Sequence, residues 1–345
     1  MWPIPLHVEG TKNPSDEQLN QWVHMDGRLR GPGMRALGYT KHGGIEQIEV
    51  FETQPPRAGW GRVVVDVHSI ALNPLDYRFR RGEMGPDLMA GPRITGCDFS
   101  GTIARVGAGV GHVSVGDRVM GMSRWGTAAQ QISVRANKVV KIPEGLDDST
   151  AATIPLVALT AYQIIHDRVQ VQPGQHLLIH GASGGVGTYV VQLAKLAGAT
   201  VTAVASERNQ EFLASLGADE TIDYEQTDCC TGSEQYDAFI DCYGNKSLTK
   251  TDAVIKDNGI YLTVDPFPGA FIFPVLNLGR RKRSMVVVVQ NKAHQLREIC
   301  QLIETGTLRP VVQRVYPATE IHEAFVMLET HHTRGKLAVR ILGEL

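Results

Sequence analysis

Two rhythms divide the chain. From Met34 to about Pro155, apolar residues come in short β-type runs cut by Gly and Pro. "GRVVVDVHSIALN" (61–73) is rich in β-branched residues, and "ITGCDFSGTIARVG" (94–107) is punctuated by glycine. "VSVGDRVMGM" (113–122) carries a Gly116-Asp117 turn, and "AAQQISVRANKVVKIP" (128–143) adds two more runs. Many short strands at regular spacing predict a closed or nearly closed β-barrel-like domain. After Pro155 strand-like runs alternate with helical ones. The strands are expected at His176–His180, Thr200–Ala205, Glu220–Tyr224, Tyr236–Cys242, Ile260–Val264 and Met285–Val289. Between the first two, Val186, Val190, Leu193, Ala194 and Ala197 follow a 3.6-residue period, and Gly198 stands where a helix C′ residue belongs. Alternating βα units predict an α/β fold with a parallel, doubly wound sheet.

The flanks complete the division. Residues 1–33 read as an added arm, in which Ser15 with Gln18 makes a capping-box pattern for a short helix over Ser15–Val23. The Pro and Gly of this arm make disorder the rival reading. Residues 291–345 return to mixed helix and strand and are expected to rejoin the β domain. The expected organisation is therefore an arm (1–33), a discontinuous β domain (34–156 and 291–345), and a nucleotide-binding α/β domain (157–290).

Composition narrows the partners. Lys+Arg is 34 and Asp+Glu is 36, a net charge of −2, so neither nucleic acid nor an anionic membrane is attracted in general. The dense basic run Arg280-Arg281-Lys282-Arg283 reads as a solvated loop face before any anion-binding role. The 5 cysteines form no CxxC pair, which suggests a reducing compartment. The chain has neither an evident targeting segment nor an 18-residue apolar stretch, and the expected location is the cytoplasm.

Chemistry enters at "HGASGGVG" (180–187). Aligned on its last glycine, Ala182 replaces the first Gly of a GxGxxG fingerprint. The strand before and the helix after supply the context that the degenerate motif lacks. Ser183, Gly184, Gly185 and Val186 would then line a pyrophosphate at the helix N-terminus. An acid is expected about 20 residues on, at the tip of the second strand, to hold a ribose 2′-OH. That tip is Ala205-Ser206. Without an acid it no longer repels a 2′-phosphate, Ser206 offers a hydroxyl, and Arg208 offers a fork for a phosphate. The cofactor expected is NADPH. Arg208 as a plain surface residue at a helix start is the competing reading.

These motifs, with "ALNPLDYRFRRG", "GCDFSGTIARVGAGV", "VGDRVMG", "IPLVALTAYQII", "LGADETIDY" and "RGKLAVRI", resemble the medium-chain dehydrogenase/reductase superfamily. The nearer branch is the zinc-free quinone oxidoreductases and enone/enoyl reductases. The resemblance spans about residues 34–345. It implies a GroES-like catalytic domain beside a Rossmann domain, with the active site between them. It also implies roles. Asn73 and Thr160 would lie near the nicotinamide. Ser206, Arg208 and Tyr224 would surround the adenosine phosphate, with Lys336 and Arg334 near the same phosphate.

Metal is not expected. Zinc-dependent relatives carry a Cys where Asn73-Pro74 stands and Gly-His-Glu where Gly96-Cys97-Asp98 stands. Asn73 is a poor zinc ligand, and Cys97 alone reads as a small buried hydrophobe. Reduction of an activated C=C needs no Lewis acid. Hydride goes to the β-carbon of an enone, enoyl or quinone substrate, and hydrogen-bond donors stabilise the enolate. Tyr77 is the expected donor, with a packing role equally open. Asp76 reads as a loop cap. Trp125 and Phe267 are expected to line an apolar pocket for a small hydrophobic α,β-unsaturated carbonyl compound. A reductive cyclase of a natural-product pathway and a non-catalytic NADPH-binding protein stay open. The strand in "SMVVVVQ", sixth in its sheet, should lie at the edge and pair two copies into a homodimer.

Overall fold

In a computed structural model, residues 33–85, 91–265 and 281–345 are described. The helix expected over Ser15–Val23, the pocket residue Phe267 and part of the 280–283 basic run lie outside them. The first part of the chain forms strands β1 (Met34–Tyr39), β2 (Glu49–Thr53), β3 (Arg62–Ala71), β4 (Arg93–Ile94), β5 (Asp98–Val106), β6 (Arg118–Met122), β7 (Gln131–Arg135) and β8 (Val139–Lys141). A helix α1 (Pro74–Arg80) follows β3 directly, because Pro74 fits a first helical turn and Asn73 stays extended before it. The remaining strands are β9 (His176–His180), β10 (Thr200–Ala205), β11 (Glu220–Asp223), β12 (Tyr236–Asp241), β13 (Ile255–Thr263), β14 (Arg283–Val286), β15 (Val312–Pro317) and β16 (Lys336–Arg340). Helices α2 (Asp148–Ala152) and α3 (Pro155–Tyr162) join the two halves. Then come α4 (Gly185–Leu196), α5 (Gln210–Ser215), α6 (Leu248–Thr251), α7 (Ala293–Glu304) and α8 (Ile321–Glu329).

The β-type half is built on β3. It pairs β5, β7 and β16, all antiparallel, in a seven-stranded sheet ordered β15-β16-β3-β5-β6-β8 with β7 beside β3. Val63, Val65 and Val67 of β3 share a core with Phe99, Ile103, Val119, Leu337 and Phe325. A small sheet, β2-β1-β4, packs alongside. The return of the C-terminal segment is thus a strand pairing. It comes later than the expected boundary at 291, because Leu296, Ile299 and Cys300 of α7 bury into the core of the other half.

That other half is a six-stranded parallel sheet, ordered β11-β10-β9-β12-β13-β14. Both its faces are covered, so its strands are apolar on both sides. Leu177 and Ile179 of β9 join Val190, Leu193 and Ala194 of α4 on one face. Leu178 joins Val204, Phe239 and Tyr261 on the other. Chain order reverses between β9 and β12, the switch point at which ligands of such sheets bind. β14 closes one edge, as expected, but runs from Arg283 to Val286, since its partner β13 ends opposite Val286 at Thr263. No helix among the described residues is long and apolar enough to cross a membrane.

The tight passage from β9 into α4 rests on Gly187. A Cβ there would sit 2.4 Å from the carbonyl oxygen of Gly181 and 2.7 Å from Ala182 backbone. At Gly184 the nearest atom to an added Cβ is 3.4 Å away, an ordinary contact. Gly187→Ala should therefore lower the unfolding free energy by about 2–3 kcal/mol, an overpacking cost. Gly184→Ala should stay within about 0.5 kcal/mol. Urea unfolding of both variants checks this; equal stabilities would contradict the close helix–strand approach.

Candidate active site

The glycine turn is one wall of the site. Gly184 caps α4, and the Gly335 N–H donates to the Ser183 carbonyl at 2.8 Å, so the segment before β16 lies against the turn. Next to it, Ser206 ends β10, and Asn209 sits behind it. Asn209 Nδ2 donates to Ser206 Oγ at 3.1 Å and reaches Ser183 Oγ at 3.4 Å. Its Oδ1 accepts from Arg334 Nε at 2.8 Å, while Arg334 Nη2 donates to the Arg208 carbonyl at 2.9 Å and its guanidinium stacks over Phe212. Arg208 is exposed, with its guanidinium 3.5 Å from the His332 carbonyl. Tyr224 is 44 % exposed just past β11 and is held to Ala205 through its N–H. Asn209 and the Arg208 carbonyl thus tie Ser206, Ser183 and Arg334 together beside the glycine turn, with both arginines exposed. Asn209, absent from the expected set, organises them. A lone Asn at a helix start carries no signal of that role.

The opposite wall is a buried cluster. Asn73, Asp76, Asp98 and Lys336 are each 4 % exposed or less, and Cys97 is 2 % exposed. Asp98 Oδ1 accepts the Leu156 N–H at the start of α3, at 2.8 Å. Its Oδ2 accepts from Asn73 Nδ2 at 2.9 Å and lies 3.8 Å from Lys336 Nζ. Lys336 Nζ donates at 2.6 Å to both Asn73 Oδ1 and the Leu72 carbonyl. Asp76 caps α1 by accepting the Asn73 N–H at 2.7 Å. This corrects the expectation for Lys336. Its ammonium belongs to Asn73 and Asp98, and its stem crosses Gly185, where an added Cβ would meet it at 2.9 Å. Arg334 alone of that pair reaches the Ser206 end. Asn73 differs too: its carboxamide is spent within the cluster, so it holds the wall and presents no free group.

Electrostatics follow burial. Loss of solvent pushes the Asp76 carboxyl up to about 6, against the Asn73 N–H and Lys336, which lower it. Burial also raises Asp98 and lowers Lys336, while the nearby carboxylates oppose the latter shift. The Cys97 thiol rises well above its ordinary value, so it is an inert buried group.

Between the walls stand aromatic groups. Tyr77 of α1 is 6 % exposed, and burial raises its phenol, which keeps it a donor. Its ring meets His331 edge-on at 5.9 Å, and His331 meets Tyr243 at the same distance. Tyr243 belongs to a loop fixed by Asp241. That buried carboxylate accepts from His180 Nδ1 at 3.0 Å and from the N–H groups of Gly244 and Lys246 at 2.8 Å each. Thr160 is buried and donates to the Leu156 carbonyl at 2.7 Å. Trp125 is half-exposed and stacks edge-on against Phe79 of α1. Arg78 reaches across to Asp265 at the end of β13, 3.0 Å away. Among the described residues, clusters spaced for a metal ion are Asp228-Cys229-Cys230 and His176-Glu220-Glu234, and neither includes a residue of these walls.

Comparison with known proteins gives consistent matches. Residues 59–144 match a family model described as alcohol dehydrogenase GroES-like domain, and residues 216–339 one described as zinc-binding dehydrogenase. A chloroplast envelope quinone oxidoreductase homolog of Arabidopsis thaliana is 29 % identical over 90 % of this chain and 99 % of its own. An NADPH-dependent alkenal/one oxidoreductase of the same plant is 30 % identical over 89 % of this chain and 79 % of its own. Among solved structures, the quinone oxidoreductase from Coxiella burnetii superposes with a TM-score of 0.82 at 29 % identity, covering 90 % of this chain and 99 % of its own.

The buried carboxyl of Asp76 makes stability depend on pH. Its folded pKa of about 6 stands above the free value of 3.8, so the native state binds the proton more tightly than the unfolded chain. Its contribution is complete below the free value and is lost as pH rises through 6. Asp76→Asn retains an acceptor for the Asn73 N–H but does not titrate. Relative to the unmodified protein, the variant should gain up to about 3 kcal/mol between about pH 4 and pH 7. Urea unfolding at the two pH values measures it. A constant difference would contradict a perturbed Asp76.

Proposed function

We propose, for a chain that belongs to the medium-chain dehydrogenase/reductase superfamily in its zinc-free quinone and enone reductase branch, an NADPH-dependent reduction of conjugated carbonyl compounds. The chain is an oxidoreductase. Its substrate is an enone, enoyl or quinone compound, and hydride goes to the β-carbon. The observation that carries this reading is the Lys336 ammonium set among Asn73, Asp76 and Asp98. A cation is already built into the wall where zinc-dependent relatives hold their metal. The donor set does not fit zinc, since Asn73 and Asp98 are both engaged with that ammonium.

The cofactor fits the other wall. Ser183, Gly184, Gly185 and Val186 would face the pyrophosphate at the N-terminus of α4, and Ser206, Arg208, Arg334 and Tyr224 the 2′-phosphate end. When bound, the reduced nicotinamide supplies a hydride, and solvent supplies the proton that completes addition across the C=C. The chain's own part is to hold charge and exclude water. The Tyr77 phenol, kept protonated by burial, offers a hydrogen bond to the carbonyl oxygen on which negative charge develops. Thr160 and Asn73 hold the wall beside it. Trp125 with its Phe79 partner offers apolar surface to the substrate. The relative described as an alkenal/one oxidoreductase supports this substrate class.

Two experiments test the reading. First, dissociation constants for NADPH and NADH are measured on the unmodified protein and on Arg208→Ala. NADPH should bind more tightly, and the substitution should shrink the preference about tenfold or more, as loss of one charge-assisted bond requires. Tighter NADH binding at the outset would exclude the phosphate site. Second, NADPH deuterated on the transferred face at the nicotinamide C4 is turned over with an activated enone in ordinary water. Deuterium should appear at the β-carbon and a solvent proton at the α-carbon, at a rate unchanged by prolonged chelation. Deuterium on a carbinol carbon, with activity lost on chelation and restored by zinc, would mean alcohol-dehydrogenase chemistry instead.

A further inference from the structure

We propose that Lys336 is a positioning residue: a fixed internal cation that locks Asn73, α1 and α3 in register with the glycine turn. The proposal rests on the reductase reading for its purpose and on the geometry for its substance. Four separated pieces of chain meet at this ammonium and its counter-ion. Asp98 opens β5, Asn73 precedes α1, Leu156 lies in the first turn of α3, and Lys336 opens β16. Each is tied to another by a bond between buried groups. The lysine stem runs beneath Gly185, so the same residue touches the turn that would hold the cofactor. α1 carries Tyr77 and α3 carries Thr160. The cluster therefore fixes where those two side chains stand relative to the glycine turn, although Lys336 itself has no exposed donor.

A metal ion in a related cleft would draw its ligands together by coordination. Here a carboxylate, a carboxamide and a main-chain carbonyl are drawn together by an ammonium. Its Nζ donates at 2.6 Å to the Leu72 carbonyl and to Asn73 Oδ1, and lies 3.8 Å from Asp98 Oδ2. Hydrogen bonds of 2.6 Å to a charged donor are short and directional, so the carboxamide of Asn73 has one allowed orientation. Without the charge, Asn73 Oδ1 loses its donor and Asp98 its counter-ion. The resulting instability alone would lower activity, so a single substitution does not separate positioning from folding.

The test therefore pairs two variants. Lys336→Met removes the charge at similar length, and Lys336→Met/Asp98→Asn removes both charges at nearly constant volume. Three properties are measured on each full-length protein: thermal unfolding without cofactor, the NADPH dissociation constant, and the induced circular dichroism of the bound nicotinamide band. Turnover of an activated enone is measured beside them. The single variant should unfold at a clearly lower temperature. The double variant should recover most of that loss and bind NADPH within about threefold of the unmodified protein, because the Ser206–Arg208–Arg334 end is untouched. Its nicotinamide signal should nevertheless fall by at least half, and kcat should stay at least tenfold down with KM little changed. A double variant that regains signal and kcat together with stability would overturn the proposal and leave Lys336 a purely structural ion. If the unmodified protein shows an ordered nicotinamide signal but reduces no enone, the substrate reading fails, while the signal in the double variant still decides the role of Lys336.

Discussion

A carboxylate buried where β5, α1, α3 and β16 meet sets the terms for the rest of the molecule. Asp98 has no exposure to solvent, and a bare charge there would cost far more than a domain's whole stability margin. Every partner it has comes from elsewhere in the fold: an N–H from the first turn of α3, an amide from the residue before α1, an ammonium from β16. Removing any one leaves the others facing an uncompensated charge. The return of the C-terminal strand to the β domain is thus more than a closing of the sheet. It delivers the only ammonium in the cluster, from 263 residues away in sequence to Asn73.

The two walls use charge in opposite ways. Around Asp98 the charged groups are buried and hydrogen-bonded to one another before any ligand arrives, so they contribute order more than attraction. Around Ser206 the arginines are exposed, and exposed cations are worth little to stability. In the proposed reading their value lies in a ligand that brings its own negative charge. Arg334 is shaped by Asn209 and Phe212, which hold its guanidinium by one edge and one face. An arginine held this way loses less side-chain entropy on meeting a phosphate than a free one. The tip of β10 without an acid therefore has a structural counterpart. At that tip the chain places Ser206 and, two positions on, the exposed Arg208.

Much of this was legible in the residues. The expected strands at His176–His180 and Thr200–Ala205 are β9 and β10 to the residue, because apolar runs between helices have sharp ends. β13 starts earlier than expected, at Ile255, because that end pairs with Tyr236 of β12, and β14 is shifted to Arg283–Val286 by its register with Ile260–Thr263; neither end follows from local pattern. The glycine turn was readable as a strand-to-helix turn because its signal is local: Gly184 caps α4 and Gly187 lets helix and strand approach. Asn209, Asp241 and the bond between Lys336 and Asn73 were not. Asp241 gives no local hint that it fixes the Tyr243 loop, since its partners are backbone N–H groups whose direction only the folded turn supplies.

The misreading of Lys336 has one physical cause, Gly335. The resemblance put Arg334 and Lys336 of "RGK" near one phosphate, and in a regular strand residues two apart would indeed point to the same face. Gly335 has φ +68, a conformation that side chains resist, and a Cβ there would lie 2.3 Å from the Val311 carbonyl. The backbone turns at that residue and sends its two basic neighbours to opposite walls. The segment is held on both sides of the turn, by the Gly335–Ser183 bond and by His331, whose own φ of +60 costs about 1–2 kcal/mol. Edge-on contacts with Tyr77 and Tyr243 offset part of that cost, at about 0.5–1.5 kcal/mol each. One short stretch, 331–336, thus places a guanidinium at the phosphate end, an ammonium at the opposite wall and an imidazole between two tyrosines. Because the Gly335 N–H binds the Ser183 carbonyl and the Lys336 stem lies against Gly185, those six residues also tie the buried cluster directly to the glycine turn.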